Sequence, residues 1–198
     1  RRDVPLFDRS FFRSPDSVTR IGDGEHGGKA RGLVLIRDLL ASQYETKKFP
    51  GVEAYVPKMV VVATEVFDAF MGRNDLRETA QSDQPDDRMA ETFLRAEFPT
   101  EVLGDLRALI EEVHTPLAVR SSSLLEDALF QPFAGVYETK MVPNNQPDAD
   151  TRFLKLVEAI KFVYASTYFR HAKSYIRATE RASAEEKMAV IIQEVVGE

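Results

Sequence analysis

The sequence predicts an α+β fold, on three observations. Residues 117–119, 55–64 and 187–196 contain short apolar runs, two of them rich in β-branched side chains, with the length of strands buried in a sheet. Residues 102–113 and 153–176 instead repeat apolar side chains at helical spacing, so helices pack beside those strands. At 198 residues and 43% hydrophobic content, the chain can bury a core of ordinary size, as one domain or two closely joined lobes.

Composition narrows the function. With 32 acidic against 26 basic residues the net charge is −6, and the basic residues are scattered, which argues against nucleic acid as a partner. A phosphate ligand would therefore need a local cationic site. Cysteine is absent, which removes disulfides and thiolate metal sites and suits a reducing cytoplasm, the expected location. The longest apolar runs, 33–36 and 188–192, are far too short to span a bilayer and no signal-peptide pattern opens the chain, so no membrane partner is expected. The chain opens on Arg1 and stops at Glu198 just after a strand-like run, as an excised piece of a longer protein would.

Taken in order, residues 1–20 mix Phe7, Phe11 and Phe12 with charges and lack a period, so residues 1–26 read as an irregular arm docking a few rings. Residues 21–29, IGDGEHGGK, form a glycine-rich loop feeding an apolar segment, 33–40, expected as a largely buried helix. Gly22, Gly24 and Gly27 satisfy G-x-G-x-x-G, but residues 18–21 make a poor buried strand before them, so a dinucleotide fold is weakly supported. The P-loop pattern fails, with Asp23 in place of its first glycine and Ala30 in place of the magnesium-binding hydroxyl. Residues 55–64 read as a strand entered at Pro57, and Thr64 as the N-cap of a helix carrying Val66, Phe67, Phe70 and Met71. Residues 74–87 are charged and expected to be a mobile excursion, followed by a short helix over 88–98. Thr100 is expected to cap the helix of 102–113. After a turn at 143–147, Asp150 or Thr151 caps a long helix whose aromatic stripe reads as core, with a bend near His171. Residues 182–186 connect it to a last strand over 187–196.

The segment 116–142 carries the chemistry. Arg120 stands where its strand emerges, followed by Ser121, Ser122 and Ser123; a guanidinium fork beside hydroxyls and backbone N–H groups suits phosphate. Phe133, Ala134 and Gly135 make a loop with little side-chain bulk, and 136–142 a second strand, so the pair reads as a phosphate-facing hairpin. A blander reading stands beside it: Ser123 and Glu126 fit a capping box, Gly135 a plain turn, and Arg120 a surface ion pair, while Lys29 would be a solvated lysine. His26, His114 and His171 fall in no zinc-ligand pattern, and no serine lies in G-x-S-x-G. Glu126-Asp127 reads as helix-start charge, with either carboxylate available to hold Arg120.

In combination these segments resemble the nucleotide-binding domain of the pyruvate phosphate dikinase and phosphoenolpyruvate synthase family, where a VRSS…ED…FAG…(E/D)T string recurs. Val119-Arg120-Ser121-Ser122, Glu126-Asp127, Phe133-Ala134-Gly135 and Glu138-Thr139 match it in order. Gly27-Gly28-Lys29 with Leu33 is similar to the family's GGK-x-x-x-L opening, the Val56-Pro57, strand, Thr64, helix order is similar too, and Gln193 matches the glutamine of its VQ-x-M-V string.

The resemblance implies an ATP-grasp-like nucleotide-binding domain over residues 27–198, truncated at its C-terminal end, with ATP as ligand. Lys29 and Arg120 would neutralise the phosphates as the catalytic cations, Gly135 would cover them through its backbone, and Thr139 would stand by as a polar contact. Gln193, Glu194 and the backbone at Val195 and Val196 would locate the base. ATP in the family phosphorylates a histidine on a separate swivelling domain, which carries the group to pyruvate or a similar acceptor. Mg2+ would be involved, with its ligands expected beyond Glu198, so this chain alone is not expected to turn over. Leu124-Leu125 departs from the small or hydroxyl residues usual before Glu-Asp, and Arg31 adds a charge after Lys29. Two alternatives stay open: a nucleotide-sensing or assembly domain that binds ATP without transfer, and a scaffold with no ligand.

Overall fold

Strands β1 (Val18–Ile21), β2 (Met59–Val62), β3 (Leu117–Ser123), β4 (Thr139–Val142) and β5 (Met188–Glu194) join in one mixed sheet, ordered β1-β2-β5-β3-β4, in a computed structural model that describes residues 4–43, 50–124, 135–178 and 186–197. β1 runs parallel to β2, and every other pairing is antiparallel. The two-residue period of a strand sorts the side chains onto two faces. Ile21, Val60, Val62, Leu117, Val119, Val142, Val190 and Ile192 join the larger core. Val18, Met59, Val61, Ala189 and Ile191 face a smaller cluster on the other side. Because β2 and β5 are covered on both faces, they read in the sequence as unbroken apolar runs.

Helices α2 (Thr64–Arg73), α3 (Leu76–Gln81), α4 (Asp86–Arg95), α5 (Leu103–Glu112), α6 (Ala149–Ser166) and α7 (Arg170–Ala178) contribute to the larger core. The aromatic stripe of α6 packs there as the sequence predicts: Tyr164 is fully buried, with its ring centroid 5.0 Å from Phe67 and 5.5 Å from Phe70. Burial pushes its phenol above the ordinary tyrosine range. Arg152, also on α6 and buried, donates from Nη1 to the carbonyls of Ile110 at 2.8 Å and Val113 at 3.0 Å, closing the C-terminal end of α5. Arg152→Leu strands the Ile110 carbonyl, while that of Val113 keeps its bond from Asn144 Nδ2 at 2.9 Å, and should lower unfolding free energy by about 2 kcal/mol in a urea titration; a loss under about 0.5 kcal/mol would show the clamp to be idle.

The second face is covered by α1 (Gly27–Gln43), and here an expectation is corrected. The helix predicted to be largely buried touches the sheet with Ala30, Leu33 and Val34, while Leu35, Ile36 and Leu39 are 59%, 48% and 43% exposed. A 3.6-residue period puts positions 30, 33, 34 and 37 on one side and 32, 35, 36 and 39 on the other. Apolar residues fill both stripes, so composition alone could not show that only one meets the sheet.

Other corrections are local. The arm expected over residues 1–26 holds a 3-10 helix, Arg9–Arg13, and strand β1. Phe11 docks as expected, and Lys58 Nζ donates to the carbonyls of Phe11, Phe12 and Ser14 at 2.8, 3.2 and 3.0 Å. Residues 55–58 precede β2 and lie outside it. Residues 74–87 include α3, with Leu76 and Ala80 buried, in place of a loose excursion. Thr100 opens a 3-10 turn, Thr100–Val102, and makes no capping bond. Asp148, not Asp150 or Thr151, caps α6: its carboxylate accepts from the Thr151 N–H at 2.7 Å, and this bond holds its pKa below the ordinary range. The break near His171 falls between α6 and α7.

Candidate functional site

The site begins with the loop after β1. The α2 N-terminus has orphan N–H groups, and the loop supplies acceptors for them: Thr64 N–H donates to Glu25 O at 3.0 Å and Glu65 N–H to Asp23 O at 3.2 Å. Thr64 is the first helical residue and not the N-cap; its hydroxyl accepts from Glu25 N–H at 3.0 Å. Arg20 donates to Gly22 O and to the Asp23 carboxylate, and Arg31 pairs with Glu25. The loop is therefore a bracket fixed to α2. A Cβ on Gly22 would meet Val66 at 2.5 Å, and one on Gly24 would meet Thr64 Oγ1 at 2.7 Å. Those two glycines serve packing against α2.

Gly27 does a different job. Its φ is 71°, and an added Cβ would lie 1.8 Å from the Ser122 carbonyl oxygen, so α1 starts in direct backbone contact with β3. Ser122 Oγ secures the contact, donating to His26 O at 2.8 Å and accepting from Ala30 N–H at 3.0 Å. Lys29 Nζ then reaches Ser121 Oγ at 3.0 Å, next in sequence to Arg120. The serines, expected as phosphate-side hydroxyls, here tie the lysine and its helix to the strand.

The register places the remaining candidates. Arg120 is cross-strand partner of Thr139 on β4 and of Ile191 on β5, and Ala118 is partner of Met141 and Gln193. Ala118, Arg120, Thr139, Met141 and Gln193 consequently share the sheet face that α1 covers only in part. The expected hairpin pairing of β3 with β4 is present. Arg120 Nη1 donates to Gln193 Oε1 at 3.1 Å. Lys29, Arg120, Thr139 and Gln193 are thus gathered around one strand. From Leu117, paired with Glu194, to Arg120 the strand advances about 10 Å.

Other candidates do not join them in the same way. Glu194 pairs with Leu117, whose side chain is in the larger core, and its carboxylate accepts from Thr115 Oγ1 at 3.1 Å, so its side chain turns from the Arg120 face. The Glu194 N–H donates to Lys58 O at 3.3 Å and the Val195 N–H to Pro116 O at 2.9 Å, which removes both donors from any ligand. Val196 is 57% exposed. Gly135 is exposed with φ 76°, and no atom among the described residues lies within 4 Å of a Cβ built there. The segment after it is anchored by Tyr137 Oη donating to Glu186 Oε2 at 2.7 Å and by Glu138 N–H donating to Ser166 Oγ at 3.2 Å. Glu126, Asp127, Phe133 and Ala134 fall outside the described residues, as does the suggestion that Glu126 or Asp127 holds Arg120. Sequence reasoning missed Ala118, Met141 and Ile191 as the apolar floor; alternation outward from Arg120 and Gln193 was the signal that could have found them.

Among the described residues no group of three His, Cys, Asp or Glu could hold a metal, so the magnesium implied by the resemblance finds no cage in them. Nor is any helix among them long and apolar enough to cross a membrane.

A mixed sheet packed by helices on one face and open beside β3 and β4 on the other, with a fixed glycine loop at its edge, defines an α+β domain of ATP-grasp-like build. The family model for pyruvate phosphate dikinase, AMP/ATP-binding domain, matches residues 24–198, and the chain belongs to that family. No curated protein matches it.

Proposed function

We propose that this chain holds ATP for phosphoryl transfer within a dikinase-type phosphotransferase. The observation that carries the reading is the meeting of Lys29 and Arg120 at adjacent positions of β3, the lysine through Ser121 and the arginine from the strand itself. Two cations held at neighbouring residues of β3, about 10 Å along the strand from the end of β5, suit a nucleotide lying along the strand with its phosphates at Arg120 and its base at Val196. Thr139 is the polar neighbour on the phosphate rung, and Gly135 would close over it through its backbone. The Glu194 carbonyl and the Val196 N–H would read the base, since the Val195 donor is already engaged.

Phosphoryl transfer asks for alignment and charge stabilisation more than for a covalent nucleophile on this domain. The acceptor in this reading is a histidine on a separate swivelling domain, which delivers the group to pyruvate or a similar acid. Magnesium would accompany the phosphates, with ligands outside the described residues, and the chain by itself would bind without turnover. Residues 27–198 form the nucleotide-binding unit, and residues 1–26 complete its β1 edge. Freedom from cysteine suits a cytoplasmic setting. Calorimetric titration tests the reading: wild type should bind ATP, and Lys29→Ala should bind it roughly tenfold or more weakly while staying folded, with a modestly lower melting temperature because the buried Ser121 hydroxyl loses the lysine. Equal affinity in both proteins, or no ATP binding by wild type, would refute it.

A further inference from the structure

We propose that Gln193 is the positioning residue for Arg120, so that its side chain serves the phosphate end of the site and not the base end. The inference rests on the nucleotide reading above and adds to it a role for a residue expected to locate the base.

Arg120 and Gln193 face the same side of the sheet from neighbouring strands, one rung apart, and Nη1 of the arginine donates to Oε1 of the glutamine at 3.1 Å. Gln193 is only 9% exposed, so the sheet holds its amide in place. A guanidinium has donors only, which fixes the amide with its oxygen toward Arg120 and its NH2 group away. No ion pair to Arg120 occurs among the described residues.

The choice of an amide has a physical consequence. A carboxylate at position 193 would hold the guanidinium equally well but cancel its charge, whereas a neutral carbonyl orients it and leaves the full positive charge for an anion. One N–H is committed to Gln193 and the others keep the fork geometry that matches phosphate oxygens. Without the brace, the arginine must be ordered by the ligand itself, and that ordering weakens binding.

The test separates the two ends of the ligand by titrating the chain with inorganic tripolyphosphate, which has no base, with ATP, and with adenosine, which has no phosphate. Gln193→Met keeps length and bulk but removes the acceptor. Tripolyphosphate and ATP should each weaken by roughly tenfold, and adenosine should be unaffected. In an Arg120→Ala background the same substitution should add nothing further, since a positioning residue acts only through its partner. Should Gln193→Met not fold, Gln193→Glu restores an acceptor, and it should weaken tripolyphosphate by cancelling the charge while sparing adenosine. Loss of adenosine affinity in either variant, unchanged tripolyphosphate affinity, or a further loss in the Arg120→Ala background would overturn the proposal. If wild type binds neither ATP nor tripolyphosphate, the nucleotide reading fails by itself. The brace is then judged in the ligand-free protein by the Arg120 side-chain 15N resonance, which Gln193→Met or Gln193→Glu should shift; an unshifted resonance overturns it.

Discussion

Gly27→Ala should lower the melting temperature sharply and remove most of the ATP affinity with it. The added methyl would lie 1.8 Å from the Ser122 carbonyl oxygen and 2.3 Å from its carbon, and both belong to the β3 backbone, which cannot turn aside as a flexible side chain would. A positive φ of 71° adds the left-handed penalty that any Cβ incurs, about 1 kcal/mol. Relief requires α1 to back away from β3, which breaks the Ser122 bonds to His26 O and Ala30 N–H and moves Lys29 off Ser121. We expect a stability loss of about 3 to 5 kcal/mol, read by denaturant titration. Gly32→Ala is the control: it lies in the same helix with nothing within 4 Å, so it should stabilise by up to about 1 kcal/mol. Equal effects of the two substitutions would mean that the α1 contact with β3 is not close.

Arg120→Ala should cost the largest share of phosphate affinity, with little change in fold. Its side chain lies on the partly covered face, and its hydrogen bond is to a neutral amide, so truncation strands no buried partner charge. A guanidinium paired with phosphate oxygens contributes through charge-assisted, forked bonds, and its loss should weaken ATP by roughly a hundredfold. Arg120→Lys keeps the charge but not the fork and should recover only part of that loss. The wild-type affinity should also fall with added salt more steeply than that of Arg120→Ala, because screening acts on the charge removed. An Arg120→Ala protein that binds ATP as wild type does would place the phosphates elsewhere.

Legibility varied from residue to residue for physical reasons. The run from Met188 announced a buried strand because both of its faces are dry, Leu117 to Val119 did so through apolar side chains alone, and the stripe of α6 announced itself through its period. β1 did not, since its four residues include Thr19 and Arg20, whose polar side chains bond to the carbonyls of Pro5 and Val4. The cap of α6 was missed by two residues, because Asp148, Asp150 and Thr151 all have a side chain able to cap and only backbone geometry selects one.

The amino-acid sequence by itself determined strands β2, β3 and β5, the long apolar-striped helices, the cations Lys29 and Arg120, and the family to which the chain belongs, because residue types and short spacings carry that information. Only the tertiary structure decided that Lys29 reaches β3 through Ser121, that Gln193 faces Arg120, that Glu194 turns to the other side, and that one stripe of α1 stands in water. Those outcomes depend on strand register and helix rotation. A shift of one residue in register exchanges the two faces of a sheet, and that register is set by pairing between segments as distant in sequence as Met59 and Gln193, which no local pattern encodes.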